Sequence, residues 1–221
     1  VAALPGPMGS TIVVGWFQED ARLVEGNGAP HELGPDPGIE DRIFVARVDE
    51  LGFVGDIATW ETSADRVQDA VVVGQALYLI GAYGSSPPEF INPNPLPFAV
   101  QPAAYLARLQ LSDFSVTNVF QLASGPGGIV PRRMVGVGTR VLVAGEMDAS
   151  TANPNTLVFG DASAAIDPGI PTLFVGEVDL DGTNAWVNTF SFTEPDVLGS
   201  VDLVVGGAER VATVWFESPA G

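Results

Sequence analysis

Apolar and polar positions alternate in short bursts throughout this 221-residue chain, the period of strands rather than helices. Three of the bursts superpose without gaps: RIFVARVDELGF at Arg42–Phe53, AAYLARLQLSDF at Ala103–Phe114 and TLFVGEVDLDGT at Thr172–Thr183. Each carries a small residue at the same central place (Ala46, Ala107, Gly176) and ends in a short polar turn. A second family reads TIVVGWFQ from Thr11, LYLIGAYG from Leu77, VLVAGEMD from Val141 and VATVWFES from Val211. Gly15, Gly81 and Gly145 share its register, and Trp215 replaces the glycine in the last copy.

Two further stretches complete a repeating unit. Ahead of the second family lie β-rich segments at Val67–Gly74, Ile129–Gly138 and Val197–Gly206, with Val1–Gly9 as a proline-broken first copy. Behind the first family lie Gly55–Glu61, Val116–Leu122 and Trp186–Phe192, where an aromatic recurs at Trp60, Phe120 and Phe190. The unit is thus four strands, a spacing too long for one hairpin. The chain reads as units at about 1–62, 65–124 and 127–195, then strands one and two of another at 197–218, about three and a half repeats. Strand one, as in DAVVVG and VDLVVGG, is nearly continuous in Val and Leu, which predicts burial on both faces. The expected fold is therefore all-β, a β-propeller-like array of four-stranded antiparallel blades within one domain or segment.

The residues VVGWF at 13–17 with FVARVDELG at 44–52, LIGAY with YLARLQ, and VAGEM with FVGEVDLDG carry a likeness. They resemble the bacterial surface and secreted β-propeller repeats in which a VYVxG strand precedes a loop and an FVAxLDxxG strand. That resemblance implies a toroid of blades with strand one lining the channel, and an extracytoplasmic setting. It implies no activity, because unrelated functions share the fold.

Composition narrows the chemistry. There is no Cys, so the chain supplies no disulfide, thiolate nucleophile or Cys-ligated metal. Twenty-seven acidic residues face nine basic ones, all Arg, for a net charge of −18, which repels nucleic-acid phosphates and anionic headgroups. The longest nearly apolar run, Val71–Tyr83, is broken by Gly74 and Gln75 and is too short to insert in a membrane as a helix. No charged stretch followed by an apolar run opens the chain at Val1, so a leader neither indicates nor excludes secretion.

Long Pro-rich segments at about 19–41, 85–102 and 149–171 join strands two and three, while strands three and four join through tight turns. Alternating connections place the long segments at one end of each sheet. The favoured reading is that they pack over blade edges and each other; the other is a ligand or partner surface.

Candidate chemistry is sparse. Glu19, Asp20, Glu25, Glu32, Asp36, Glu40 and Asp41 offer oxygens for calcium without a ligand-spaced motif, and a solvated acidic surface is the better reading. Asp179-Leu180-Asp181-Gly182 aligns with the other hairpin turns and is read as a turn. The sole histidine, His31, has no G-x-S-x-G elbow beside it and is not read as catalytic. Asp65, Asp69, Asp196 and Asp202, near the starts of strand one, are candidates for a glycosidase-type carboxylate pair but share no register. Arg47 and Arg108, with Glu177 in their place in the third unit, are read as exposed positions pairing with nearby acids. Trp60, Phe120 and Phe190 are read as packing between blades rather than a sugar platform, with Trp16 and Trp215 near strand-two ends left open.

No catalytic, cofactor-binding or metal residue is assigned, and no cofactor is expected beyond a weak calcium option. The expected function is a non-enzymatic binding or structural module. The alternative is a carbohydrate-active hydrolase with carboxylates near the channel. The expected partner is another protein chain, or further length of a longer one, completing the propeller.

Overall fold

Alternation becomes sheet wherever the repeat predicts it. The computed structural model describes residues 2–17, 21–34, 41–62, 66–84, 90, 96–148, 155–191, 197–206 and 209–217. The first repeat forms β1 (Ala2–Pro5), β2 (Thr11–Phe17), β3 (Ala21–Val24), β4 (Pro30–Gly34), β5 (Asp41–Val48) and β6 (Val54–Thr62). The second forms β7 (Arg66–Val73), β8 (Ala76–Tyr83), β9 (Ala103–Gln110) and β10 (Val116–Ser124). The third forms β11 (Ile129–Val137), β12 (Arg140–Met147), β13 (Thr156–Phe159), β14 (Ala162–Ala165), β15 (Thr172–Asp179) and β16 (Trp186–Ser191). Then come β17 (Val197–Gly206) and β18 (Glu209–Glu217). Among the described residues there is no α-helix, only a short 3-10 turn at Pro7–Gly9.

The fold is all-β, with four-stranded antiparallel sheets ordered β1-β2-β5-β6 and β11-β12-β15-β16. The second repeat's sheet grows to six strands, β14-β13-β10-β9-β8-β7, and β17-β18 and β3-β4 are two-stranded. Among the described residues no sheet closes on itself. The chain divides into two compact units, Val1–Ala99 with Leu106–Phe120, and Val100–Tyr105 with Gln121–Gly221.

In the first unit, Ile12, Val14, Ile43 and Val45 are buried on one side of the β1-β2-β5-β6 sheet. The opposite side holds Phe44 and Ala46, packed by Leu33, Val13, Phe17, Leu23, Val54 and Ile57. Leu23 and Leu33 come from the β3–β4 hairpin, which therefore covers this side of its own sheet. In the second unit, Leu142, Ala144, Leu173 and Val175 pack with Leu203 of β17 on one side of the β11-β12-β15-β16 sheet. The ring of Phe159, from β13, sits against the other side.

Strand one departs from its expected burial. β7 is mostly half-buried, and β1 alternates between half-buried and exposed residues. The fully enclosed strands are instead second and third, as in β8 and β15. The physical reason is position: strand one lies at the end of the strand order in both four-stranded sheets, so neighbours flank it on one side only. Its Val-rich run is further broken by register shifts at Gln68, Arg132 and Gly199 in β7, β11 and β17. Bulges of this kind twist a strand and interrupt its ladder.

Candidate functional site

Two of the segments read as long loops contain hairpins, β3–β4 and β13–β14, whose tips make specific polar contacts. Each emerges between strands two and three, where the sheet's apolar side needs cover, and runs back along it. Their tips reach the turn joining strands three and four, opposite to the expectation that the long connections gather at the far end of each sheet. Burying Phe44 and Ala46, or Phe174 and Gly176, is what the hairpins accomplish.

At the first tip, Gly26 donates its amide to the carbonyl of Gly52 at 3.1 Å. The Glu25 carboxylate accepts the Val54 amide at 3.2 Å and bonds the His31 ring at 2.6 Å. These bonds, the His31 one foremost, hold the Glu25 carboxyl below its ordinary value. His31 is therefore a partner of Glu25 across the β3–β4 hairpin.

At the second tip, the Asp161 carboxylate accepts the Ala185 amide at 2.6 Å and the Asn184 amide at 3.1 Å. Those backbone bonds, Ala185 first, hold its carboxyl below the ordinary value. Asn184 adopts a left-handed φ of 51° and its side chain donates to Asp179 at 2.7 Å. Val54 and Asn184 stand two residues past Gly52 and Gly182, whose φ values are 84° and 89°. Both tips thus dock a carboxylate onto the same place of equivalent turns.

Those turns are hydrogen-bonded as predicted from their residues. Gly52 donates to Asp49 and Gly182 to Asp179, while Asp181 accepts both the amide and the hydroxyl of Thr183. The side-chain bonds of Asp181 lower its pKa, and the motif Asp179–Gly182 serves the turn. The second repeat's turn is longer and places Phe114, a buried aromatic, at φ 56°, a conformation costly for a bulky residue.

Arg47 explains part of that turn's setting. It lies at a register shift between Ala46 and Val48, a bulge that re-aims its side chain. Its guanidinium pairs with Asp56 at 2.6 Å, donates to the Leu111 carbonyl and stands 5.2 Å from the Phe114 ring centroid. The expected acid pairing is present, but Arg47 also ties the first repeat to the turn of the second. Arg108 is exposed on β9 and bonds the Tyr78 hydroxyl, whose pKa burial raises. Glu177 is buried and pairs with Arg140 at 3.1 Å, so this position is not exposed in the third repeat.

The aromatic series also divides. Trp60 is buried 5.7 Å from Phe90, Phe120 is half-buried, and Phe190 is 51% exposed, so the shared packing role does not extend to Phe190. Phe190 lies on β16, the last strand in the order of its sheet. Trp16 lies under Arg66 at 4.1 Å, and Trp215 lies on β18 opposite Ser200.

Of the four candidate carboxylates, Asp69 and Asp202 are among the described residues. Asp69 accepts the Ala70 amide and Asp202 the Leu203 amide, each at 2.9 Å, which are local backbone bonds. Glu19, Asp20, Asp36, Glu40, Asp65 and Asp196 lie outside the described residues; Asp41 opens β5, and Glu32 is exposed on β4. Among the described residues no group of three or more His, Asp or Glu is placed to hold a metal ion. No helix among them is long and apolar enough to cross a membrane.

The residues that sequence reasoning missed are therefore Glu25, Asp161 and Phe159 in their docking roles. Asn27-Gly28, between alternating ARLV and PHEL, is a signal that could have found the first hairpin. Compared with known proteins, the chain matches no family model and no curated sequence.

Proposed function

We propose that this chain is a non-enzymatic binding or structural module whose sheets are blades of a propeller-like array, associating through strand edges in an extracytoplasmic assembly. One observation carries the reading: β13, from the third repeat, pairs with β10, from the second, through Ala123–Phe159 and Ser124–Val158. The bond from the Gly160 amide to the Leu122 carbonyl, at 2.8 Å, extends that pairing. Repeats of this chain thus recognise one another by strand addition, the mode in which main-chain bonds give affinity. The partner is another chain, or further repeats of a longer polypeptide, presenting the same kind of edge. The extracytoplasmic setting follows from the likeness of the repeats to bacterial surface and secreted propellers.

The carboxylates support the non-enzymatic side, since Asp69, Asp202, Glu25 and Asp161 are all engaged with backbone amides. A glycan panel assayed for both binding and hydrolysis tests this. Binding without turnover is the expected result. Hydrolysis lost in Asp69→Asn or Asp202→Asn would replace the reading with a carbohydrate-active hydrolase. Light scattering across concentration, alone and with candidate partners, is expected to reveal association. A chain that stays strictly monomeric and takes no partner would overturn it.

A further inference from the structure

The two inserted hairpins are structural equivalents with one difference. Both arise between strands two and three, cover the same side of their own sheets, and dock a carboxylate two residues past a turn glycine. The outer edge of β13 carries β10. Among the described residues, no strand pairs with the outer edge of β3.

That edge is competent to accept one. The Glu25 amide donates to Ala29 across the hairpin at 2.9 Å, so strand alternation turns the amides and carbonyls of Arg22 and Val24 to the opposite edge. β3 contains no proline, whereas β4 opens on Pro30, which has no amide to offer. Val24 is 62% exposed, an apolar side chain beside an open ladder, with Arg22 the one charge on this strand.

We propose that the outer edge of β3 is a docking site for the fourth strand of another repeat of this kind, added as β10 adds to β13. The occupant is defined by chemistry already present at β10: an extended, uncharged segment such as Val116–Ser124, VTNVFQLAS, which ends in small residues. Lack of charge suits a chain of net charge −18, which would repel an acidic strand. The proposal rests on the strand-association reading above and names its edge and its ligand.

The test titrates a fluorescein-labelled peptide of sequence VTNVFQLAS with the full chain and reads anisotropy, with hydrogen exchange locating the site. Saturable binding is expected, with slowed exchange at the Arg22 and Val24 amides. Val24→Pro removes one outward amide and is expected to weaken binding about ten-fold or more, the effect of losing a ladder bond and the room beside it. The same peptide N-methylated at its Leu122 and Ser124 nitrogens keeps every side chain and leaves the chain unaltered; it is expected not to bind. No binding, binding indifferent to Val24→Pro and to N-methylation, or protection at another edge would each overturn the proposal. So would Arg22 and Val24 amides already protected in the chain alone and released on dilution with no matching protection in any fourth strand, which would assign the edge to β3 of a second copy. Glycan turnover would sink the binding-module reading and leave these readouts unmoved. Failure of the peptide would leave that reading standing.

Discussion

The β3–β4 and β13–β14 hairpins perform the same task with different residues. Under β13–β14 the sheet is hollowed: a Cβ at Gly176 would lie 2.7 Å from the Phe159 ring, whose centroid is 6.0 Å from that of Phe174 in a tilted pair. Under β3–β4 the equivalent position is Ala46, and aliphatic Leu23 and Leu33 fill the space. The ring-in-socket version also carries a backbone pairing to the neighbouring repeat; the aliphatic version lies in a two-stranded sheet of its own. Where a hairpin must hold two sheets in register, the chain uses a large fully buried anchor. Where it covers one sheet, buried Leu33 with half-buried Leu23 suffices.

The sharpest way to break the comparison is to remove both anchors. Phe159→Ala deletes a fully buried ring and is expected to cost about 3–5 kcal/mol, with fast hydrogen exchange at Gly160 and Leu157. Leu23→Ala, at a half-buried site, is expected to cost about 1 kcal/mol. Equal losses by denaturant titration would show that the two hairpins are not held differently. Next in size is Gly176→Val, which forces side-chain atoms into the Phe159 ring and is expected to cost about 1–3 kcal/mol. Pairing it with Phe159→Leu should recover part of the loss, whereas additive losses in the double variant would mean that the socket is not what Gly176 provides.

The repeat was legible because period-two alternation and turn chemistry survive in single residues: Gly52 and Gly182 sit at positive φ where the aligned turns require them. The hairpins were less so: ASAA carries almost no alternation, and at the first hairpin the signal is the Asn27-Gly28 turn, beside a strand, PHELG, that opens on proline. Their reason for existing is tertiary: an apolar sheet side whose exposure the local sequence does not report. Continuous Val in strand one misled for the same reason, since edge position rather than composition set its burial. Of the candidate residues, Asp181 and Arg47 could be assigned a turn and an ion pair from neighbours in sequence and register. Glu25 and Asp161 could not, because their partners, Val54 and Asn184, are distant in the chain.

The shared turn permits a smaller test in which the hairpins should behave alike. Gly52→Ala and Gly182→Ala each place a Cβ at a left-handed φ and are expected to cost about 1–2 kcal/mol. At Gly52 the nearest atom to that Cβ is the Gly26 nitrogen at 3.5 Å, an ordinary contact, so backbone strain alone sets the loss. A much larger loss at Gly52, by thermal melting, would mean that the hairpin tip cannot tolerate the added methyl.

The smallest expected effect separates the two carboxylates by what lowers them. Asp161 is held down first by the Ala185 amide, Glu25 first by His31. A depressed folded value means that the docking contributes stability above the unfolded carboxyl value of about 4 and loses it as pH falls through the folded one. Both tips should therefore loosen in acid, seen as faster exchange of the Ala185 and Val54 amides below about pH 4 than the intrinsic rate explains. Asp161→Asn keeps an oxygen to accept an amide but cannot titrate, so exchange at Ala185 should lose its acid dependence while Val54 keeps its own. Because the Asp161 partners are backbone amides with no titration of their own, that substitution should flatten the second tip completely. Glu25→Gln likewise keeps an oxygen for the Val54 amide but cannot titrate, so exchange at Val54 should lose its acid dependence while Ala185 keeps its own. Acid dependence that persists at Val54 in Glu25→Gln, or at Ala185 in Asp161→Asn, would show that the docked carboxyl is not what loosens that tip.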